Sequence, residues 1–214
     1  MSLIIDWLFP RKCFGCDQGE GYLCSLCETK IKNGELIKKD GFEGLISIYK
    51  YDGLIKNIIE KIKYGFVSDA IEEMAEKMAR KLKLDYPNIV KYWQKEKYTL
   101  VPIPLHEQRQ RWRGFNQSEI LAEKLSKTLK LNWRNNLIIR KFKIKSQAKI
   151  KNRGEKWKNM TDIFQIVDNK KIPKKIILID DVITSGATMT AALKTLKKSG
   201  ANLCWALTLA GVQK

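Results

Sequence analysis

The sequence predicts an α/β protein: an open, mostly parallel sheet covered by helices, preceded by a small four-cysteine module. Three observations carry that prediction. Short, wholly apolar strand candidates alternate with amphipathic helices, the pattern of a sheet buried on both faces. Four of the five cysteines cluster between residues 13 and 27. The stretch "IILIDDVITSGATM", Ile176 to Met189, runs from apolar residues into two aspartates and then into Thr, Ser and Gly, as a strand delivering a ligand loop would.

The elements follow in order. "CFGCDQGEGYLCSLC" is C-x2-C, seven residues, then C-x2-C, built from Cys13, Cys16, Cys24 and Cys27. Two residues between cysteines let both thiolates face one ion in a knuckle turn, and two knuckles complete a tetrahedron of sulfurs at about 2.3 Å from zinc. Four protein ligands leave no open position, so the ion would be structural. Two disulfides would need an oxidising compartment, and a redox pair fits the doubled spacing less well. Such a short segment would depend on its metal to fold. "EGLISIYKYDG", Glu43 to Gly53, reads as a strand ending in an Asp-Gly turn. Leu54, Ile55, Ile58, Ile59 and Ile62 recur at helical spacing, and Ser68 to Lys83 is a second amphipathic helix. "YTLVPIP", Tyr98 to Pro104, is a short strand broken by prolines. Ser118 opens a helix to Lys130, and "LIIRKF" near Leu137 is a further short strand. The charged stretch from Lys143 to Thr161 reads as a long basic loop. "KKIILID", a helix from Thr188 stopped by Gly200, and the buried strand "ANLCWALTLAG" close the pattern; Cys204 in the last is expected to be a buried, inert thiol. The clearest boundary falls near residues 33 to 44, giving a module over 1–40 and an α/β domain over 41–214.

Composition sets outer limits. The 214 residues carry a formal charge of +18, from 41 basic and 23 acidic residues. Lysine-rich composition explains part of that excess, but its distribution is uneven: Arg134 to Lys175 hold 14 basic residues against Glu155, Asp162 and Asp168. A partner rich in phosphates is expected. No apolar run approaches the length of a membrane span. At the N-terminus, "MSLIIDWLFPRK" places its basic residues after the apolar ones and has no small-residue cleavage site, so the protein is expected in the cytoplasm. Trp7 and Phe9 are expected to bury beside the cysteine module; peripheral contact with a membrane surface is the alternative.

The stretch from Ile176 to Met189 is the chemical centre of the reading. Ligands of open parallel sheets bind beyond the carboxyl ends of the strands, where Asp180 and Asp181 would stand. The amides of Thr184, Ser185, Gly186, Ala187 and Thr188 would turn into a helix N-terminus, a cradle for a phosphate monoester. Two carboxylates beside such a cradle should repel the phosphate. They make sense facing paired sugar hydroxyls or a magnesium ion's waters on the same ligand. A ligand with a 5′-phosphate and a ribose diol meets every requirement.

"ILIDDVITSGAT" resembles the phosphoribosyl-pyrophosphate signature of type I phosphoribosyltransferases. With "FPRKCFGCDQGEGYLCSLC", "KYG" and "VPIPLHEQRQRWRGFNQSEILAEKL", the chain resembles the ComF family of late competence proteins from Leu8 to about Gly211, "RGFNQ" being the most specific element. The resemblance implies a zinc-binding N-terminal module on a phosphoribosyltransferase-like domain. Asp180 and Asp181 would engage the ribose, and be catalytic if the protein is an enzyme; residues 184 to 188 would hold the 5′-phosphate. It also implies phosphoribosyl pyrophosphate with Mg²⁺ as ligand, and a role in handling incoming single-stranded DNA during natural transformation, with other DNA-uptake proteins as candidate partners.

Several further residues fall under the same resemblance. Arg109, Arg111 and Arg113, with Asn116 and Gln117, follow the loop that holds pyrophosphate in the transferases; guanidinium groups suit pyrophosphate or a DNA backbone, and Trp112 and Phe115 suit stacked bases. Lys63 matches a family position, though read alone it is a solvated charge on a helix. Gln147, Arg153 and Asn159 lie where the family has its flexible catalytic loop. There the family usually shows Arg-x-Thr ahead of the glutamine; here the stretch is "FKIKSQ", a departure that touches catalysis more than binding. His106, the only histidine, has no assigned role. The expected function is a competence-type protein that binds single-stranded DNA and a phosphoribosyl ligand, with a phosphoribosyltransferase acting on an unknown acceptor as the alternative.

Overall fold

A computed structural model describes residues 11–18, 21–65, 67–141, 163–167 and 171–212. Gln147, Arg153, Asn159, Trp7, Phe9 and the whole of the basic loop lie outside the described residues. The elements are α1 (Ser25–Thr29), β1 (Leu36–Ile37), β2 (Gly44–Lys50), α2 (Gly53–Gly65), α3 (Ser68–Asp85), α4 (Pro87–Lys95), β3 (Thr99–Pro102), α5 (Glu107–Arg113), α6 (Gln117–Leu129), β4 (Asn132–Trp133), β5 (Ile138–Arg140), β6 (Phe164–Ile166), β7 (Lys175–Ile183), α7 (Ala187–Lys198) and β8 (Leu203–Gly211).

Six strands form one sheet in the order β1-β2-β8-β7-β3-β4. All pairs are parallel except β1 with β2. The strand near Leu137 joins a separate antiparallel pair, β5 with β6. Alternation along β7 sorts its side chains into two cores. Ile177 and Ile179 join the buried residues of α2, α3, α4 and α6 on one face. Ile176 and Leu178 join Met189, Ala192, Leu193 and Leu196 of α7 and the β5–β6 pair on the other. This period-2 sorting within an unbroken apolar run is what a strand covered on both faces requires. The α/β class is therefore as the sequence predicts.

Two helices depart from the sequence reading. Helix α4 starts at Pro87, whose fixed φ suits a first helical position, and it buries only Val90 and Trp93. Helix α5 occupies the segment of Arg109, Arg111 and Arg113, to which the sequence reading assigns no helix. Its seven residues, EQRQRWR, show no apolar stripe; it is held by its ends, with the His106 ring accepting from the Gln108 amide and Gly114 closing it in the left-handed conformation. Helix α6 also begins earlier than expected, at Gln117: Asn116, not Ser118, is the N-cap.

The cysteine segment packs into the first of the two cores, contributing Cys13, Leu23, Cys27 and Ile31. Two carboxylates fasten it to α3. Glu73 accepts the amides of Tyr22 (2.7 Å) and Leu23 (3.0 Å). Glu28 of α1 receives the Tyr49 hydroxyl, Lys77 and Arg80. Burial works to raise the Glu28 carboxyl, but these three donors outweigh it and hold it below its ordinary range.

Candidate functional site

The sheet edge is stepped. β3 stops at Pro102, opposite Ile179, while β7 and β8 remain paired as far as Ile183 and Gly211. Asp180 and Asp181 therefore lie within β7, not at its end as the sequence reading has them, but past the end of its neighbour. From the ledge so formed, the chain after β3 turns through Pro104 and Leu105 into α5. Between them lies a cavity of about 470 Å³, within the size range of small-molecule sites. Asp180, Asp181, Thr184 and Thr188 line it, together with Lys63, Arg109, Arg113, Trp112 and Tyr64. An adjoining hollow is lined by Ser185, Gly186 and Ala187 and shares Asp180, Val182, Thr184 and Thr188 with the cavity. The acids and the proposed phosphate loop thus line two adjoining hollows that share four residues.

The two acids have different surroundings. Asp181, 8% exposed, pairs with Lys63 at 2.9 Å. The lysine is thus partnered rather than a solvated charge. Asp180 accepts a 2.9 Å bond from the Ser118 hydroxyl and another from the Asp181 amide. Burial, with the charge of Asp181 second, pushes its carboxyl up to about 7 against the pull of those donors. The result is one carboxylate tied to a cation and one carboxyl that ionises near neutrality.

The loop from Thr184 to Thr188 has the backbone the cradle needs. Gly186 takes φ +76°, a conformation that side chains resist, and directly precedes α7. No side chain caps that helix at Gly186; the Ser185 hydroxyl receives the Ala187 amide at 3.3 Å.

The basic residues divide. Arg109 and Arg113 reach the cavity, whereas exposed Arg111 turns to Glu107 at 3.1 Å and does not line it. Asn116 and Gln117 act from behind the wall. Asn116 accepts the Ser118 amide and donates to the Ile103 carbonyl; Gln117 accepts from buried Arg113 at 2.8 Å. Burial draws the Arg113 guanidinium below its usual range. Trp112 meets Tyr64 edge-on at 5.8 Å, both more than half exposed at the cavity mouth. Phe115 instead packs, partly buried, against the core.

Tyr51, Tyr64, Ser118 and Arg140 also meet at this site. Arg140 sits on β5, and its guanidinium lies 5.8 Å from the Phe164 ring centre. The alternation that marked β5 as a strand carries no sign that its last residue faces a ligand space, and Tyr64 is legible only through its adjacency to Lys63.

Among the described residues, the cysteine cluster is the one group suited to a metal. The sulfurs of Cys13, Cys16, Cys24 and Cys27 lie within 4.8 Å of one another, and none is in a disulfide. A tetrahedron with 2.3 Å arms would set them about 3.8 Å apart. The amides of Gly15 and Cys24 each donate to Cys13 Sγ at 3.4 Å, and that of Cys27 to Cys24 Sγ at 3.4 Å. Burial works to raise the Cys13 thiol, but amide donors outweigh it and bring it down to about 6, toward the thiolate a metal takes. A Cβ at Gly15 would stand 2.8 Å from Cys27 Sγ, so that knuckle closes only around glycine. These residues fit a four-sulfur metal site.

No family model matches the chain. It is 27% identical over 177 residues to competence protein ComFC of Bacillus subtilis, covering 83% of this chain and 65% of that protein. It is 25% identical over 205 residues to the DNA utilization protein YhgH of Escherichia coli, covering 91% and 86%. Over most of its length the chain is thus similar to proteins named for competence and DNA utilization. A shorter match, 32% over 103 residues, joins it to competence protein F of Haemophilus influenzae, covering 47% of this chain and 44% of that protein. The matched stretches thus span less than two thirds of the B. subtilis and H. influenzae relatives. Of solved structures, a hypoxanthine phosphoribosyltransferase from Staphylococcus aureus aligns with TM-score 0.37 and 15% identity, covering 64% of this chain and 62% of that one. Among the described residues no helix is long and apolar enough to cross a membrane.

Proposed function

We propose that this protein binds a ribose 5-phosphate ligand, phosphoribosyl pyrophosphate with Mg²⁺ in the first instance, and handles single-stranded DNA in the cytoplasm during natural transformation. One observation supports this reading above the others: the acid pair and the 184–188 loop line a cavity and an adjoining hollow that share Asp180, Thr184 and Thr188, with Lys63, Arg109, Arg113 and Arg140 on the cavity wall. Amides and hydroxyls of the loop would take the 5′-phosphate. Asp180 and Asp181 would face the ribose hydroxyls. The arginines would meet pyrophosphate or a DNA backbone, with Trp112 and Tyr64 offering faces to bases. Mg²⁺, when bound with the ligand, would neutralise pyrophosphate charge. The four cysteines would hold structural zinc, whose tetrahedral preference suits four thiolates.

Titration of phosphoribosyl pyrophosphate and Mg²⁺ into the folded, metal-replete protein should give saturable heat, lost in Gly186→Val. No uptake by the wild type would overturn the ligand assignment. Affinity for an oligodeoxythymidine should fall steeply with salt, by a log–log slope of about −0.7 per phosphate contacted. A flat salt response would remove the DNA assignment.

A catalytic reading draws on Asp180, whose carboxyl at about 7 could change protonation during a reaction. In it, pyrophosphate leaves the anomeric carbon as an acceptor bonds there. It requires pyrophosphate release that depends on an acceptor and disappears in Asp181→Asn.

A further inference from the structure

We infer that Lys39 is a phosphate-binding residue of the 184–188 cradle, delivered to it from the end of the cysteine segment. The inference rests on the ribose 5-phosphate reading above and adds a residue that lies outside the "IDDVITSGAT" stretch.

Lys39 opens a turn between β1 and β2, closed by a 3.0 Å bond from the Phe42 amide to the Lys39 carbonyl. The turn is fixed on both sides. Phe42 packs on the core beneath α7. Gly41 lies so close to α7 that a Cβ there would stand 2.9 Å from Leu193 Cδ2. Held in this way, the Lys39 side chain crosses the phosphate loop: a Cβ built on Gly186 would lie 2.8 Å from both Cε and Nζ of Lys39. Gly186 is buried and Lys39 half-buried.

The electrostatics of that contact are unfavourable without an anion. Gly186 immediately precedes α7, a helix of 12 residues whose N-terminal amides carry partial positive charge. A lysine ammonium is the wrong charge for that position; lysines favour the opposite end of a helix. Among the described residues Lys39 makes no ion pair or hydrogen bond that would offset the repulsion. Two positive features therefore stand side by side at Gly186. A phosphate monoester, carrying close to two negative charges and three acceptor oxygens, matches both at once. The competing account is a solvated lysine whose stem merely covers Gly186, and it makes a different prediction.

D-Ribose 5-phosphate titrated calorimetrically into wild type, Lys39→Met and Lys39→Arg, with thermal unfolding of each as the control for folding, separates the outcomes. Methionine keeps a stem of similar length without the charge, and arginine keeps the charge. The expected result is binding by the wild type, roughly tenfold weaker binding by Lys39→Met, and recovery of most of the loss by Lys39→Arg. Wild-type affinity in Lys39→Met would overturn the assignment of Lys39 and leave the ribose 5-phosphate reading standing. A loss that arginine fails to restore would make the role one of packing and overturn it too. No binding by the wild type would overturn both.

Discussion

Asp180 and Asp181 are neighbours in sequence and opposites in environment. Alternation along β7 sends one side chain toward Lys63 and the other toward Ser118. "DD" is legible in the sequence; which acid is paired is not, because the partner lies on α2, distant in the chain. The asymmetry has a measurable sign. With Asp180 raised to about 7, the folded state keeps its proton between about pH 4 and 7, where the unfolded chain has lost it. Stability from this group is therefore full below about pH 4 and declines as pH rises through about 7. Asp180→Asn removes that dependence, so it should gain on the wild type from pH 5 to pH 8, read as a widening difference in urea midpoint. A constant difference would contradict the raised carboxyl. Lys63→Met should cost about 2 kcal/mol in the same assay, since it strands Asp181 in a buried position; an unchanged midpoint would show the ion pair to be idle.

At the scale of elements, α3 is the member that joins the cysteine segment to the rest. Its periodicity announces a helix buried along one face. Nothing in that periodicity says that Glu73, on the partly exposed flank, receives two amides of the segment. Glu73→Ala leaves the Tyr22 and Leu23 amides without acceptors and should cost about 2 kcal/mol. Glu73→Gln, which keeps an acceptor, should cost less, and denaturation curves of the two variants check the order. Helix α5 teaches a complementary lesson. Hydrophobic spacing finds helices that bury a stripe, and α5 buries Arg113 alone. Its evidence was in its ends, His106 and Gly114, rather than in its interior.

For the molecule as a whole, the strands of the sheet were legible because burial on both faces forces unbroken apolar runs. Strand order was not, since it depends on which crossovers the helices make. The cavity was legible in its floor, the acids and the loop, and much less so in its walls. Tyr64 and Arg140 come from elements whose own patterns explain them without a ligand, while Lys63, Arg109 and Arg113 were legible only through the family resemblance. The cysteine segment shares a core with α2, α3 and α6, so metal loss should be felt well beyond it. Stripping metal from the reduced protein with a chelator should lower Tm by roughly 10 °C or more, with zinc restoring it. A Tm indifferent to chelation, in protein first shown to contain one zinc per chain, would refute the structural role.

The position of β8 has its own consequence. It lies between β2 and β7, and the buried hydroxyls of Ser47 and Thr208 that meet across the β2–β8 ladder are 161 residues apart. During synthesis the ribosome will have released β2, α2 and α3 long before their central neighbour exists. Until residues 203–211 emerge, two apolar strand edges wait unpaired, so this chain should mature late and lean on chaperones while it does.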